Sequence, residues 1–136
     1  MESVNVYARG HQKPVASYNN ILIPQNLVGK RNILVQGMMA TENARYIIKF
    51  DFDLDGKTIT VPANSILSFE GGSFCNGTVN INGANVLPNY DALADSQNLT
   101  INGYPKAGVM RWDYENKKPV WSTGEKWVNA LGGDNI

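Results

Sequence analysis

From Tyr46 to Leu54 the chain alternates: Tyr46, Ile48, Phe50, Phe52 and Leu54 are apolar, and Ile47, Lys49, Asp51 and Asp53 stand between them. Large apolar residues recurring with a period of two mark a half-buried strand, and a helix does not satisfy that spacing. Asp55-Gly56 then turns the chain, and Ile59 and Val61 carry the alternation on to Pro62, which has no amide to give a central strand. Two shorter apolar pieces follow, Ile66 to Phe69 closed by Gly71-Gly72 and Thr78 to Ile81 closed by Gly83. Short strands each followed by a Gly or Asn turn read as successive sides of a β-solenoid coil or as a meander, and periodicity alone does not choose between them.

The polar palette agrees. Only 18% of the 136 residues are charged, while there are 13 glycines and 17 asparagines, residues that suit turns better than helix surfaces. A mainly β chain is therefore expected, in four segments. Residues 1–43 are interrupted by Pro14, Asn19-Asn20, Pro24 and Gly37 and read as an extended N-terminal docking arm with two short strands. Residues 44–87 form a short β-solenoid-like segment. Residues 88–107 read as a linker whose helical turn is Tyr90 to Ala94. Residues 108–136 form a small C-terminal β-meander that contains Trp112, Trp121 and Trp127. So small a meander does not fold alone and must lean on something else.

Several function classes are disfavoured at once. Lys and Arg number 12 and so do Asp and Glu, which leaves no electrostatic footprint for nucleic acid or an anionic membrane. No apolar run approaches the roughly 18 residues needed to span a bilayer, and Met1 to Gly10 lacks a signal-peptide core. One cysteine, Cys75, excludes an internal disulfide framework and a multi-cysteine zinc site, and reads as a small buried residue beside a turn. His11 is the one imidazole and has no recognisable acid or nucleophile beside it. Asn76-Gly77-Thr78 and Asn98-Leu99-Thr100 are formal glycosylation sequons, of little weight without a secretion signal.

Asp51-Phe52-Asp53-Leu54-Asp55-Gly56 matches the first half of an EF-hand loop, but its twelfth position is Pro62 where a bidentate Glu belongs. The same carboxylates, about 6 to 7 Å apart along a strand, have the separation of a glycosidase pair but no cleft to desolvate one of them. A solvent-facing row of acids is the simpler reading. No catalytic, cofactor-binding or metal-binding residue is therefore assigned. Trp112, Trp121 and Trp127 are the site candidates: aromatic rings on strands serve as packing core, subunit contact or a glycan-binding platform.

Two stretches carry a resemblance. The first runs from Tyr46 through Asp53-Leu54-Asp55-Gly56-Lys57-Thr58-Ile59 to Pro62. With Leu67-Ser68-Phe69-Glu70-Gly71-Gly72 and Asn76-Gly77-Thr78, it resembles the opening of right-handed parallel β-helix domains in proteins of Bacteroides and their phages. The second, Gly108 to Tyr114 with Lys118-Pro119-Val120-Trp121, Gly124 and Trp127-Val128, is similar to a short unit at the ends of phage fibres and other virion appendages. Longer relatives carry polysaccharide lyase or glycosidase sites on many stacked coils. Here the coils are expected to stop by about Leu87, so no catalytic residue transfers.

One or two coils would leave Phe52, Leu54, Ile59, Leu67 and Phe69 poorly covered, at about 1.5 to 3 kcal/mol for each large side chain left wet. The resemblance to threefold fibres then implies an intertwined homotrimer. It implies a non-enzymatic virion protein, a short head or tail fibre of a crAss-like phage. The N-terminal arm would dock on capsid or tail proteins, and the distal end would reach toward a host surface glycan. The alternatives are a carbohydrate-binding module using the three tryptophans and a degenerate polysaccharide-degrading β-helix enzyme.

Overall fold

The computed structural model describes residues 18–130. They form a parallel β-solenoid of about four turns, with a small antiparallel sheet packed on its C-terminal end. The first turn holds β1 (Asn19–Leu22) and a hairpin, β2 (Leu27–Val28) with β3 (Arg31–Asn32). The second holds β4 (Ala44–Ile48), β5 (Asp51–Asp53) and β6 (Thr58–Thr60), and the third β7 (Ile66–Phe69), β8 (Ser73–Cys75) and β9 (Gly77–Asn80). The fourth holds β10 (Asn85–Leu87), the helical turn α1 (Asp91–Ala94) and β11 (Leu99–Asn102).

Stacking these turns makes three parallel ladders. The first is β1-β4-β7-β10, the second pairs β5 with β8, and the third is β6-β9-β11. The ladders are completed by improvised pieces where a strand is missing. Ile33 bridges Asp53 in parallel and continues the second ladder into the first turn. On the third ladder the Gln36 side-chain amide stands in for a strand: its Nε2 donates to the Thr60 carbonyl at 2.9 Å and its Oε1 accepts from the Thr60 amide at 2.7 Å.

The alternation seen in the sequence survives, but as three strands instead of one. The chain bends at Lys49-Phe50 and again at Asp55-Gly56, so β4, β5 and β6 lie on different sides of the coil, and alternation within each strand decides inside from outside while the second bend shifts the parity by one. Tyr46, Ile48, Phe52, Leu54, Ile59 and Val61 are buried, and Phe50, at the bend, is only half-buried. Register stacks like on like: Tyr46 meets Leu67, Phe52 meets Phe74, and Ile59 meets Val79. The rings of Phe52 and Phe69 both pack edge-on against Phe74, at 6.3 and 5.1 Å between centroids.

The asparagines and glycines have specific duties here. Asn43 and Asn64 precede β4 and β7, and Asp55, Asn76 and Asn98 turn the next corner; all five adopt positive φ between 53° and 59°, a conformation that Asn and Asp tolerate best among residues with a side chain. The corners are tied turn to turn, Gly56 N–H to the Asn76 carbonyl and Gly77 N–H to that of Asn98. Outside the third ladder, Asn102 donates to Asn80 at 3.1 Å and Asn80 to Thr60 at 3.0 Å, a side-chain ladder parallel to the backbone one. Gly72 and Gly77 are required by close approach. A Cβ on Gly72 would stand 2.3 Å from the Phe50 carbonyl oxygen, and one on Gly77 would stand 2.5 Å from Leu54 Cβ.

Three expectations change. Residues 19–43 are the first turn of the solenoid, because β1 pairs with β4 along its whole length; the part of the arm in residues 1–17 lies outside the described residues. The coils do not stop at Leu87: within the segment read as a linker, β11 pairs with β9, and α1 packs beside β8 and β10. With these added turns Phe52, Leu54, Ile59 and Leu67 are at most 2% exposed and Phe69 is 8% exposed within a single chain. The burial argument for an obligate homotrimer therefore loses its premise.

The C-terminal sheet is a meander of β12 (Met110–Asp113), β13 (Lys118–Ser122) and β14 (Trp127–Val128). Its first turn is nucleated by Asp113, whose Oδ1 accepts from the amides of Glu115 and Asn116. It is fastened to the solenoid by the Ser122 hydroxyl donating to the Pro105 carbonyl at 2.8 Å. Val109 and Trp127 pack onto the main core.

Candidate functional site

The meander divides the three tryptophans between two faces. In an antiparallel pair, directly opposed residues share a face. Met110 opposes Trp121, which opposes Val128, and Trp112 opposes Pro119; these residues form the outer face, where Met110 is 49% and Trp112 40% exposed. Arg111 opposes Val120, and Ser122 opposes Trp127; these form the inner face, with Val120 and Ser122 buried against the solenoid. Trp112 and Trp121 thus share one surface, and Trp127 lies on the other side of the sheet.

Trp127 is where the two parts of the molecule meet. Its ring packs edge-on against Tyr90 at 5.1 Å and Tyr104 at 6.3 Å between centroids. The Arg111 guanidinium lies over both Tyr90 and Trp127, 5.5 and 5.6 Å from the ring centres, a distance at which a cation is attracted to an aromatic face. Beside this cluster is an open cleft of about 460 Å³, whose lining includes Leu99, Asn102, Tyr104, Arg111 and Trp127. Arg111 is the one charged residue in that lining. Its Nε is buried without a hydrogen-bond partner. Burial pushes the Tyr90 hydroxyl up from its ordinary pKa, with Arg111 pulling the other way.

Sequence reasoning placed Trp127 among the candidates but missed Arg111, Tyr90 and Tyr104. They come from a strand, a helical turn and a loop, and no spacing along the chain announces that these meet.

The acidic row from Asp51 to Asp55 is already engaged. Arg31, reaching across from β3, bonds Asp53 at 3.1 Å and Asp55 at 2.6 Å. Asp53 also accepts from the Asp55 amide and from Asn76, and Asp51 accepts from the Ser73 hydroxyl. The Asp55 backbone amide, then Asn76 and Arg31, hold the Asp53 carboxyl below its ordinary pKa. A general acid needs the opposite shift. These hydrogen bonds stitch the first three turns together along one edge. Among the described residues no group of three or more His, Cys, Asp or Glu is placed to hold a metal ion.

Cys75 is half-buried on β8, and desolvation, then Asp53 and Asp51, raise its thiol pKa, which disfavours the nucleophilic thiolate. His11 lies outside the described residues. No helix among the described residues is long and apolar enough to cross a membrane.

The fold and the cleft define a short parallel β-solenoid with an aromatic-anchored β-meander on one end. Comparison with protein-family models, with curated proteins and with solved structures finds no match to this chain.

Proposed function

We propose that this chain is a structural, non-enzymatic module of a virion appendage, a short head or tail fibre that attaches by its N-terminal end and presents the C-terminal meander outward. The observation that carries the reading is the contrast between the solenoid's ends. At the N-terminal end Leu22, Leu27, Val28 and Val35 are 46 to 63% exposed, whereas the C-terminal end is closed by Trp127, Tyr90 and the meander. Exposed apolar residues on the terminal turn of a stacked solenoid fit continuation into, or docking on, another protein surface. The resemblance of the Gly72 and Gly77 motif to β-helices of Bacteroides phage proteins supplies the virion setting.

The test is electron cryomicroscopy of purified particles with the density of this chain traced, together with sedimentation of the isolated chain. Density with the first turn against capsid or tail protein and the meander distal is the expected result. A chain absent from particles, or attached by the meander, overturns it. A threefold assembly belongs to the same proposal, and a sedimenting monomer at micromolar concentration removes that part.

A second reading, glycan contact at the distal end, is favoured by the outward placement of Trp112 and Trp121 on one exposed face.

A further inference from the structure

The cleft between the solenoid and the meander has features that packing alone does not require. Burying a guanidinium nitrogen without a partner is costly, and such groups are rare in folded proteins. Arg111 has one, in the Nε that lacks a hydrogen-bond partner, while two aromatic rings hold the guanidinium in place. A guanidinium fixed in this way is pre-organised for a planar anion, since little side-chain freedom remains to be lost. Asp91 acts on Arg111 from α1, but no carboxylate lies in the lining itself, and the guanidinium is the one charge the cleft presents to an anionic ligand.

The rest of the lining narrows the ligand further. Tyr104 and Trp127 offer ring surface at one side, and Asn102, whose Nδ2 is committed to Asn80, keeps its carbonyl oxygen for a hydroxyl donor. Aromatic rings beside a side-chain acceptor suit the apolar faces and hydroxyls of a pyranose. The volume, about 460 Å³, falls within the range of about 300 to 1,000 Å³ usual for small-ligand sites.

We propose that this cleft binds an acidic pyranose of the uronic acid class, with Arg111 holding the carboxylate, the Tyr104 and Trp127 rings lying against the sugar, and Asn102 accepting from a hydroxyl. The inference goes beyond the appendage reading and stands without it, because it is tested on the isolated chain.

The experiment is an NMR titration of the full chain with glucuronate and galacturonate, compared with glucose, galactose and acetate, following backbone amides and the three indole N–H signals. Saturable shifts are expected with a dissociation constant on the order of 1 mM, as suits one ring and one ion pair. They should be confined to Tyr104, Arg111, Trp127 and their neighbours, and neutral sugars and acetate should bind at least about tenfold more weakly. Arg111→Gln should lose at least about tenfold in affinity, and Glu125→Gln, exposed in the turn between β13 and β14 and outside the cleft, should bind as the unaltered chain does. An equal response to glucose or to acetate overturns the proposal, as do shifts centred on Trp112 and Trp121 or no saturable shift at all. Should Arg111→Gln fail to fold, the location of the shifts in the unaltered chain decides the matter.

Discussion

The two ends of the solenoid solve the same problem differently. Every stacked coil has a last turn whose interior would face water. At the C-terminal end, α1 replaces a strand and the meander lays Trp127 and Val109 on the core. At the N-terminal end, the first turn is finished by substitutes: a hairpin, a single bridge at Ile33, and the Gln36 amide paired with β6. Polar clamps hold that turn, chiefly Arg31 on Asp53 and Asp55, and several aliphatic side chains remain exposed. An aromatic cover and a set of polar clamps can each finish a stack, and they leave different surfaces outside: aliphatic side chains of the first turn at one end, and Met110, Trp112 and Tyr114 of the meander at the other.

The interior between the ends sets the scale for testing that contrast. Phe52→Ala removes a fully buried ring packed edge-on against Phe74 and should cost about 4 kcal/mol in denaturant unfolding. Gly72→Ala forces a Cβ against the backbone of Phe50, and a loss of about 3 kcal/mol is expected from the same measurement. At the covered end, Trp127→Ala should cost about 2 kcal/mol, because the ring is half-buried yet anchors the meander through Tyr90 and Tyr104. Leu27→Ser at the other end should stay within about 0.5 kcal/mol in the isolated chain. A loss at Leu27 as large as that at Trp127 would break the comparison, by showing that the first turn is covered as firmly as the last.

Acid should separate the ends most finely. Asp53 has a folded pKa below its unfolded value of about 3.9, so its contribution is present above that pH and is lost as pH falls through the folded value. Asp91, beside the covered end, is shifted the other way by desolvation and then by Asp95. Its protonated form is the one the fold favours, so its contribution is present below the unfolded value and fades as pH rises through the folded one. Amide protection, taken relative to the intrinsic exchange rate at each pH and followed from pH 5 down to pH 2, should therefore fall around Arg31 to Leu34 before it changes around Leu93 and Trp127. Simultaneous loosening of both regions would contradict the assignment of the Arg31 clamp.

Much of the interior was legible in advance, since alternation within Tyr46 to Leu54 and again from Ile59 to Val61 names the buried residues, although the parity shifts across the Asp55-Gly56 corner and Phe50, at a bend, is only half-buried. The Gly71-Gly72 and Asn76-Gly77 pairs were legible as turn signals. Their second duty, admitting the backbone of the adjacent turn at Gly72 and Gly77, depends on coils that sequence spacing does not show to be stacked. The outermost turns were the hardest to see, because strands there are short or replaced. Nothing about Gln36 reads as a strand, and a helical turn at Asp91–Ala94 does not read as the side of a coil. The three tryptophans stood out by composition, but their division between faces follows from the register of β12, β13 and β14.

Local chemistry along the chain thus determined which residues go inside, where the backbone turns, and that strands predominate, because side-chain parity and the tolerance of Asn and Gly for positive φ act within a few residues. Tertiary structure decided how many turns stack, how each end is finished, and that Arg111 meets Tyr90, Tyr104 and Trp127. Those outcomes depend on contacts between residues some twenty positions apart or on different elements, and a one-dimensional pattern carries no measure of which distant surfaces cover one another.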